Sequence, residues 1–253
     1  MTRLALVSDL HANLAAVEAV LADIARRGIT DIYCLGDVVG YGPDPKEVLG
    51  MVNRFRGTVM GNHDHAILHG TEHTFNPKAQ LAIDWTRAQL QPTAFNLYAT
   101  RPLMAALQGF VPAIRLGDDL LAHGSPVSNA EYVLDGAAAA RALALPACAG
   151  VRRLFVGHVH IAGWFRAQGE RLHYFKAVPE EPFALAAGER AVINVGSVGQ
   201  PRDGDWRSSY VELDGENIIY HRVEYDVAAT VKKILAIPEL DDSLAHRLQP
   251  KTE

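Results

Sequence analysis

Short apolar runs alternate with amphipathic segments along the first hundred residues. A short apolar run is typical of a strand buried on both faces, and apolar residues at helical spacing are typical of a helix that packs on a sheet. The predicted segments are a strand over Arg3–Ser8, a helix from Asn13 to Gly28, a strand over Asp31–Leu35, a helix beginning at Asp44 and Pro45, and a strand over Thr58–Met60. This β-α-β-α-β order predicts parallel strands joined by right-handed crossovers.

The rest of the chain becomes richer in predicted strands towards its end, although residues 92–118 show no clear period. The predicted segments are a helix over Pro77–Gln91, a strand over Asp119–Ala122, a helix over Ala137–Ala144, strands over Arg153–Val156, Leu172–Val178, Ala191–Val195, Ser209–Leu213 and Ile218–Tyr225, and a helix from Val227. No internal repeat, low-complexity tract or linker separates these segments. We therefore expect one α/β domain over residues 1–253.

The composition of the chain disfavours some classes of binding partner. Of the 253 residues, 49% are hydrophobic, and the formal net charge is −5. No run of Lys and Arg resembles a nucleic-acid arm, which disfavours an extended surface for duplex nucleic acid. Cys34 and Cys148 offer no disulfide framework, so we expect a reducing compartment and a cytoplasmic protein. No apolar run approaches the ~20 residues of a membrane-spanning helix, so we expect no membrane partner.

Residues of the types that bind metals follow the ends of five predicted strands. These clusters are Asp9 with His11, then Asp37, then Asn62 with His63 and Asp64, then His123, and finally His158 with His160. Ligand sites in open α/β sheets gather at the carboxyl ends of the strands, so we expect the five clusters to converge in space. Each cluster alone could be a turn or a helix cap, but five at five strand ends predict one metal site.

The ligand types in these clusters suit a pair of divalent cations. Carboxylate, imidazole and amide groups suit Mn, Fe or Zn, and no thiolate is offered. Two cations that grip one phosphate lie ~3.5–4 Å apart and need a carboxylate between them. Asp37 is the natural bridging residue, because it stands alone behind Gly36, which allows close approach of the backbone.

The order of the clusters resembles the five-block signature of the calcineurin-like metallophosphoesterases. The blocks read Asp9-x-His11, Gly36-Asp37, Gly61-Asn62-His63-Asp64, His123-Gly124 and Gly157-His158-x-His160. Residues 194–197 and 199–205 resemble a segment of the small bacterial and archaeal phosphodiesterase branch, so the resemblance extends over most of the chain. Two departures, Val159 in place of the more usual threonine and Val195 in place of a common proline, remove no ligand.

The resemblance implies a role for each block residue. The implied ligands of the first metal ion are Asp9, His11 and His160. The implied ligands of the second are Asn62, His123 and His158. Asp37 would bridge the two ions, His63 would be the catalytic imidazole, and Asp64 would pair with His63 and fix its orientation. We expect Mn²⁺ in both positions, with Fe, Zn or Ni as alternatives.

The resemblance also implies a fold, namely a four-layer α-β-β-α sandwich with two mixed sheets. In that fold the β-rich final third of the chain would supply strands of the second sheet. The helices would then cover the outer faces of the two sheets.

Several residues near the blocks are candidates for supporting roles. Tyr41, in the loop after the second block, could form a wall of the pocket, and Arg202 could contact a substrate phosphate or be a solvated loop charge. Asn13 could orient a metal ligand or cap the helix that follows it. A surface loop is the expected location of His65, His69 and His73.

We expect a two-metal phosphoesterase that hydrolyses nucleotide-type or other small phosphodiesters through a hydroxide held between the metals. Protein phosphatases of this superfamily carry Asp and Arg where this chain has Gly40 and Tyr41. A diester is favoured, because an arginine grips a phosphate dianion as a tyrosine hydroxyl cannot. The alternatives are a phosphomonoesterase or protein phosphatase, a dinucleoside polyphosphate hydrolase, and an inactive protein-binding scaffold. The complete ligand set disfavours the scaffold.

Overall fold

The computed structural model describes residues 3–70, 75–168 and 171–250. Its strands are β1 (Leu4–Val7), β2 (Asp31–Cys34), β3 (Gly57–Thr58), β4 (Ala113–Leu116), β5 (Asp119–Ala122), β6 (Arg153–Val156), β7 (Gly163–Gln168), β8 (Arg171–Lys176), β9 (Ala191–Asn194), β10 (Ser208–Asp214) and β11 (Asn217–Val223). Each strand that the sequence predicted begins and ends within two residues of its predicted bounds.

Its helices are α1 (Leu14–Arg26), α2 (Pro45–Gly50), α3 (Asn62–His69), α4 (Pro77–Leu90), α5 (Leu97–Gln108), α6 (Gly136–Ala144), α7 (Val227–Leu235) and α8 (Ser243–His246). Side-chain caps begin several of them, since an Asn or Asp oxygen accepts a first-turn N–H that has no partner within the helix. Asn13 caps α1 at 3.3 Å and Asp135 caps α6 at 2.7 Å. None of the described helices is both long and apolar enough to cross a membrane.

The strands form two mixed sheets. The first has the order β11-β10-β1-β2-β3, in which β1, β2 and β3 run parallel and β10 and β11 are antiparallel additions. The second has the order β4-β5-β6-β9-β7-β8, with a parallel centre of β5, β6 and β9. The predicted parallel β-α-β-α-β unit is therefore confirmed as the parallel part of the first sheet, with β1 at the centre and β3 at one edge.

The sheets pack face to face between layers of helices. In β1, Leu6 packs in one cluster with Leu121 of β5 and Phe155 of β6, whereas its neighbours Ala5 and Val7 pack with the buried face of α1. Alternate side chains of a strand point to opposite faces, so β1 contributes to both layers of the core. The outer face of the second sheet packs on α6. The expected four-layer α-β-β-α sandwich with two mixed sheets is confirmed.

The expectation for the final third of the chain was wrong in part. Strands β8 and β9 lie in the second sheet as expected, but β10 and β11 join the first. Leu6 of β1 is paired with Val211 of β10, about two hundred residues away in the chain. Both sheets need strands with the same apolar pattern, so the pattern alone does not select the sheet that a strand joins.

Several elements were absent from the sequence prediction. Helix α5, with Pro102 in its interior, and strand β4 account for much of the stretch without a clear period. Strand β7 was not predicted, although it forms a hairpin with β8. The expected surface loop after the third block is helix α3 instead, and it carries His65 and His69. His73 lies outside the described residues.

Candidate metal centre

The seven predicted metal ligands meet in one crevice at the carboxyl ends of the strands. Strands β1, β2, β5 and β6 each end within three residues of a predicted ligand, and a further ligand is the first residue of α3. At most 8% of any of the seven is exposed. They are Asp9, His11, Asp37, Asn62, His123, His158 and His160.

Tight backbone turns present these side chains to the crevice. Asp9, Asp37 and His158 have φ values of 54°, 51° and 64°, in the left-handed region that residues other than glycine rarely adopt. A Cβ on Gly61 would lie 2.1 Å from Oδ1 of Asp37, and a Cβ on Gly157 would lie 2.6 Å from Oδ2 of Asp9. Strained and crowded backbone of this kind persists where the surrounding structure enforces it, and it clusters at functional sites.

Main-chain carbonyls orient three of the imidazoles. The Nδ1 atoms of His11, His123 and His160 lie 3.3, 2.8 and 2.6 Å from carbonyl oxygens. A carbonyl oxygen only accepts, so each Nδ1 carries a proton and donates it. The lone pair on Nε2 of the neutral ring then faces the crevice, which is the arrangement found in metal-binding histidines.

The first group of ligand atoms comes from Asp9, His11 and His160. The two Nε2 atoms lie 3.1 Å apart, and Oδ1 of Asp9 lies 3.1 Å from Nε2 of His160. Although Oδ1 of Asp9 is buried, no donor in the described part of the chain forms a hydrogen bond with it. Buried acceptors without a donor are costly, and a cation among these three residues would satisfy them.

The second group is formed by Asn62, His123 and His158. Nε2 of His123 lies 3.1 Å from Oδ1 of Asn62 and 3.4 Å from Oδ2 of Asp37. The same Oδ2 lies 3.7 Å from Nε2 of His11 in the first group, so Asp37 stands between the two groups. Ligand atoms of Asp37, His123 and His158 all lie within 4.8 Å of one another. These residues could hold a cation in each group, with Asp37 reaching both.

The charges in the crevice favour a cation at the second group. Burial alone would raise the pKa of Asp37, but the imidazoles around it, His123 foremost, hold that pKa well below its usual value. Burial alone would lower the pKa of His123, but Asp37 raises it to about 9. Burial, and then the charge of His123, lower the pKa of His158 to about 3. Without metal, a proton on His123 thus supplies the positive charge, and a metal ion that replaced it would release that proton.

The expected pairing of Asp64 with His63 is wrong. The Asp64 carboxylate accepts hydrogen bonds from the main-chain N–H groups of Val38, Val39 and Gly61 at 3.2–3.3 Å. Nδ1 of His63 has no hydrogen-bond partner among the described residues. Asp64 is turned away because the first turn of α3 directs it to the free main-chain N–H groups of the second block and of the helix start.

Gly40 occupies the place where a partner of His63 could stand. A Cβ on Gly40 would lie 2.5 Å from Nδ1 of His63, and the φ of Gly40 is +91°. A residue with a side chain would therefore be strained here and would also clash with the imidazole. Burial lowers the pKa of His63 to about 4, although Asp37 opposes this shift. The free His63 side chain is therefore neutral at pH 7.

Both predicted substrate contacts border the cavity over the ligand groups. This cavity holds about 130 Å³ and is bordered by Tyr41, His63 and Arg202, among others. The ring of Tyr41 is buried, 4.7 Å from that of His11 and 4.5 Å from that of His63. Arg202 is held in place, because its Nη2 donates to Oε1 of Gln200 at 2.7 Å. The expectation that Tyr41 forms a wall of the pocket fits this geometry.

Gln200 and Ser197 brace the site, and no single-residue signal identified them. The carbonyl of Gln200 accepts from Nδ1 of His160 at 2.6 Å, and its N–H donates to Oγ of Ser197 at 2.8 Å. The Ser197 hydroxyl in turn donates to the carbonyl of Asp9 at 2.9 Å. Both residues lie within the segment 194–205. The resemblance of that segment to the phosphodiesterase branch is the sequence feature that could have identified them.

Tyr132 and Asn13 also lie next to the proposed metal centre. Tyr132, which nothing in the sequence singled out, stacks on His158 with ring centres 4.0 Å apart. Asn13 caps α1, and its Nδ2 donates to the carbonyl of Gly199 at 2.9 Å. Of the two roles considered for Asn13, the helix cap is the one that its contacts support, since it binds no predicted ligand directly.

Comparison with known proteins identifies relatives along nearly the whole chain. The calcineurin-like phosphoesterase superfamily domain matches residues 2–217. An uncharacterized protein from Methanocaldococcus jannaschii is 33% identical over 243 residues, which cover 92% of this chain and 91% of that protein.

Solved structures agree with this match. The crystal structure of a metallophosphoesterase from Sphaerobacter thermophilus has a TM-score of 0.80 and 35% sequence identity, and the match covers 98% of each chain. A hypothetical protein from Pyrococcus horikoshii has a TM-score of 0.71 at 16% identity, covering 99% of this chain and 98% of that one, which shows a shared fold. The chain therefore belongs to the calcineurin-like phosphoesterase superfamily.

Proposed function

We propose that this protein is a two-metal phosphodiesterase that hydrolyses small phosphodiesters of the nucleotide type. The observation that supports the proposal is a group of buried hydrogen-bond acceptors that lie close together and have no hydrogen-bond donor between them among the described residues. Oδ1 of Asp9 accepts no hydrogen bond from any residue that the structure describes, and the Nε2 atoms of His11 and His160 lie 3.1 Å apart. Divalent cations are the partners that such a set of carboxylate and imidazole ligands fits.

The proposed ligands fall into the two groups described above. The first ion would be held by Asp9, His11 and His160. The second ion would be held by Asn62, His123 and His158. Asp37 would bind both. We propose Mn²⁺ because the ligands are oxygen and imidazole nitrogen atoms with no sulfur.

In the proposed reaction, water adds to phosphorus and the bond from phosphorus to the leaving oxygen breaks. Bound divalent ions would supply charge neutralisation for the phosphate oxygens and a lower pKa for the attacking water. The proton lost by water goes to solvent or a base, and the leaving oxygen gains one. His63 borders the cavity and is the proposed proton donor. A bound phosphate anion would oppose the burial that lowers the pKa of His63, because negative charge favours the imidazolium.

Preference for a diester follows from the loop after the second block. Gly40 and Tyr41 stand where protein phosphatases of the superfamily carry Asp and Arg. Position 40 has no room for a side chain beside His63. Tyr41 presents an aromatic face to the cavity, which suits the organic arm of a diester better than the second charge of a monoester dianion.

A phosphomonoesterase is the second candidate, and Arg202 is the observation that favours it. Its guanidinium borders the same cavity, with Cζ 5.9 Å from the centre of the Tyr41 ring. It could supply the cation that Tyr41 lacks. The two candidates differ in the charge that the site must neutralise, so matched substrates separate them.

The test compares kcat/KM for matched substrates with Mn²⁺ present. One pair is bis(p-nitrophenyl) phosphate and p-nitrophenyl phosphate, and the other is a cyclic nucleotide and its linear monophosphate. We expect the diester to be the better substrate in both pairs. A clear advantage for the monoester in both pairs would overturn the diester assignment and support the phosphomonoesterase.

We also propose a cytoplasmic location. Cys34 and Cys148 are both free and both buried. Burial, the dominant influence at each thiol, raises the pKa of both, so neither is readily oxidised. Free structural cysteines of this kind suit a reducing compartment. Fractionation of native cells with an antibody against the protein would test the location, and recovery outside the cytoplasm would contradict it.

A further inference from the structure

A second, larger cavity adjoins the one over the metal ligands. Its volume is about 470 Å³, against about 130 Å³ for the first. Tyr41, Tyr132 and Arg202 border both cavities, whereas Trp206 and Arg247 border the larger one. A substrate whose scissile phosphate is held at the proposed metal ligands could therefore extend an arm past Tyr41 into the larger cavity.

Two arginines in the larger cavity share one neutral acceptor. Nη2 of Arg202 lies 2.7 Å from Oε1 of Gln200, and Nη1 of Arg247 lies 3.3 Å from the same oxygen. Both guanidinium carbons lie 5.9 Å from the centre of the Tyr41 ring. The two cations are thus gathered around one amide oxygen and one aromatic ring.

Among the described residues, neither of these two arginines forms a direct ion pair with a carboxylate, although the charge of Asp241 acts to raise the pKa of Arg247, against the burial that lowers it. Across residues 3–70, 75–168 and 171–250, neither guanidinium has a carboxylate oxygen within 4.0 Å. Asp205 also borders the larger cavity, but its carboxylate pairs with Arg207 at 2.7 Å. Ion pairs are common elsewhere in the fold, as between Arg153 and Asp119 at 2.6 Å. Within the part of the chain that the structure describes, the lack of a carboxylate beside Arg202 and Arg247 is therefore a local feature of this cavity.

Like charges held together destabilise each other unless an anion lies between them. Burial, and then the charge of Arg202, lower the pKa of Arg247. Each guanidinium has five N–H donors, and the shared amide oxygen satisfies only a few of them. A phosphate group would match the planar fork of each arginine and turn their mutual repulsion into a shared attraction.

We propose that Arg202 and Arg247 form a second phosphate subsite, which binds a phosphate group on one arm of the substrate. The substrates would be diesters or polyphosphate esters with a further phosphate beyond the scissile one. Gln200 couples this subsite to the metal centre, because its carbonyl accepts from His160 at 2.6 Å while its side chain holds both arginines. The subsite deepens the proposed function and rests on it.

The test uses two chromogenic diesters that differ only in the distal phosphate. They are thymidine 5′-(p-nitrophenyl phosphate) and the same compound with a 3′-phosphate. With Mn²⁺ present, we expect the 3′-phosphorylated substrate to have the higher kcat/KM, by about 10- to 100-fold at low salt. Added salt should reduce this ratio, because it screens the attraction between exposed charges.

Arg247 is the residue to change, because it borders the larger cavity and not the one over the ligands. Arg247→Gln should bring the ratio close to one, and Arg247→Lys should retain part of it, since lysine keeps the charge but loses the fork. Arg141→Gln, at an exposed position on α6, is the matched control and should keep the wild-type ratio. A wild-type ratio of one, or a ratio unchanged in Arg247→Gln, would overturn the subsite.

A binding measurement separates failure of the subsite from failure of the proposed function. Sodium pyrophosphate is titrated calorimetrically into protein freed of metal by chelation, so that no hydrolysis is needed and no arm length is assumed. We expect binding that weakens about tenfold or more in Arg247→Gln. If neither thymidine substrate is hydrolysed but this difference is found, the proposed function fails and the anion subsite stands. Equal binding by both proteins would overturn the subsite whatever the activity.

Discussion

Replacing Asp64 by asparagine distinguishes a structural role for this residue from a catalytic one. Its Oδ2 accepts from the N–H groups of Val38 and Gly61, and its Oδ1 accepts from that of Val39. Asparagine has one carbonyl oxygen and one NH₂ group, so at least one of these N–H groups would face another donor. The variant keeps the size of the side chain, so its cost comes from the lost acceptors. It also removes a negative charge that burial and then the charge of Asp37 disfavour, since they raise the pKa of Asp64 to about 7, and this loss of charge acts in the opposite direction.

The expected cost follows from the number of hydrogen bonds lost. If the amide oxygen keeps the two bonds of Oδ2, one buried N–H group at Val39 is left without an acceptor, which costs about 1–3 kcal/mol. If it keeps the single bond of Oδ1, two groups lose their acceptor and the cost is larger. We therefore expect the lost acceptors to lower the free energy of unfolding of Asp64→Asn by at least about 1 kcal/mol.

Urea unfolding of metal-free protein measures this cost without a contribution from bound ions. Asp118→Asn, at an exposed position between β4 and β5, is the matched control and should change stability by less than about 0.5 kcal/mol. A catalytic partner of His63 would behave differently. If Asp64→Asn had wild-type stability and a much lower kcat, the structural role assigned here would be wrong.

Three further predictions concern the site and the core. His63→Ala should retain bound metal but lose turnover by about 10²–10⁴-fold, whereas Asp37→Asn should lower both metal content and rate. Gly61→Ala should destabilise the fold by about 1–3 kcal/mol, because the new Cβ would lie 2.1 Å from Oδ1 of Asp37. Asp23→Ala should cost about 1–3 kcal/mol at pH 7, because the buried hydroxyl of Tyr210 loses its acceptor at 2.6 Å.

The Asp23 prediction also has a pH dependence. Burial alone would raise the pKa of Asp23, but hydrogen bonds, that from Tyr210 foremost, hold it below its ordinary value. Stability from this carboxylate is therefore present above about pH 4 and lost as the pH falls through the folded-state pKa. The stability difference between wild type and Asp23→Ala should shrink in that acidic range, and a difference that grew on acidification would contradict this account.

The prediction for Gly61→Ala has a matched control variant, and the prediction for His63→Ala and Asp37→Asn has a clear contrary outcome. Gly50→Ala is the control for Gly61→Ala, because the nearest atom to its added Cβ is a flexible leucine methyl at 3.8 Å and it lies within helix α2. It should leave stability unchanged or slightly higher. For His63→Ala and Asp37→Asn, the test is to measure the metal content by elemental analysis and the turnover by kinetics on the same samples. If His63→Ala lost the metals while Asp37→Asn kept them, the roles proposed for the two residues would be reversed.

Local pattern was enough to predict most elements and to place the ligand types. Apolar strands end where the chain turns polar, and Asp9, Asp37 and His158 follow such ends directly in the sequence. Their convergence followed from the rule that parallel strands present their carboxyl ends at one edge. The predicted groups did come together, within hydrogen-bond distance of each other in several cases.

The features that the sequence did not predict depend on contacts between residues that are distant in the chain. Strand β10 pairs with β1, but its apolar pattern would suit either sheet. The partner of Asp64 was mistaken because the direction of its side chain is set by the start of α3, which the sequence had suggested was a turn or loop. Arg247 directly follows α8 and borders the cavity from there, and no local motif marks an arginine that has no carboxylate partner among the described residues.

The most direct test of the account is a parallel measurement of bound metal and activity. Protein treated exhaustively with chelator is titrated with Mn²⁺, while metal content is followed by elemental analysis and hydrolysis of bis(p-nitrophenyl) phosphate is followed by absorbance. We predict no activity without metal and full activity when two ions are bound per chain. Full activity in protein that contains no metal would contradict the two-metal centre.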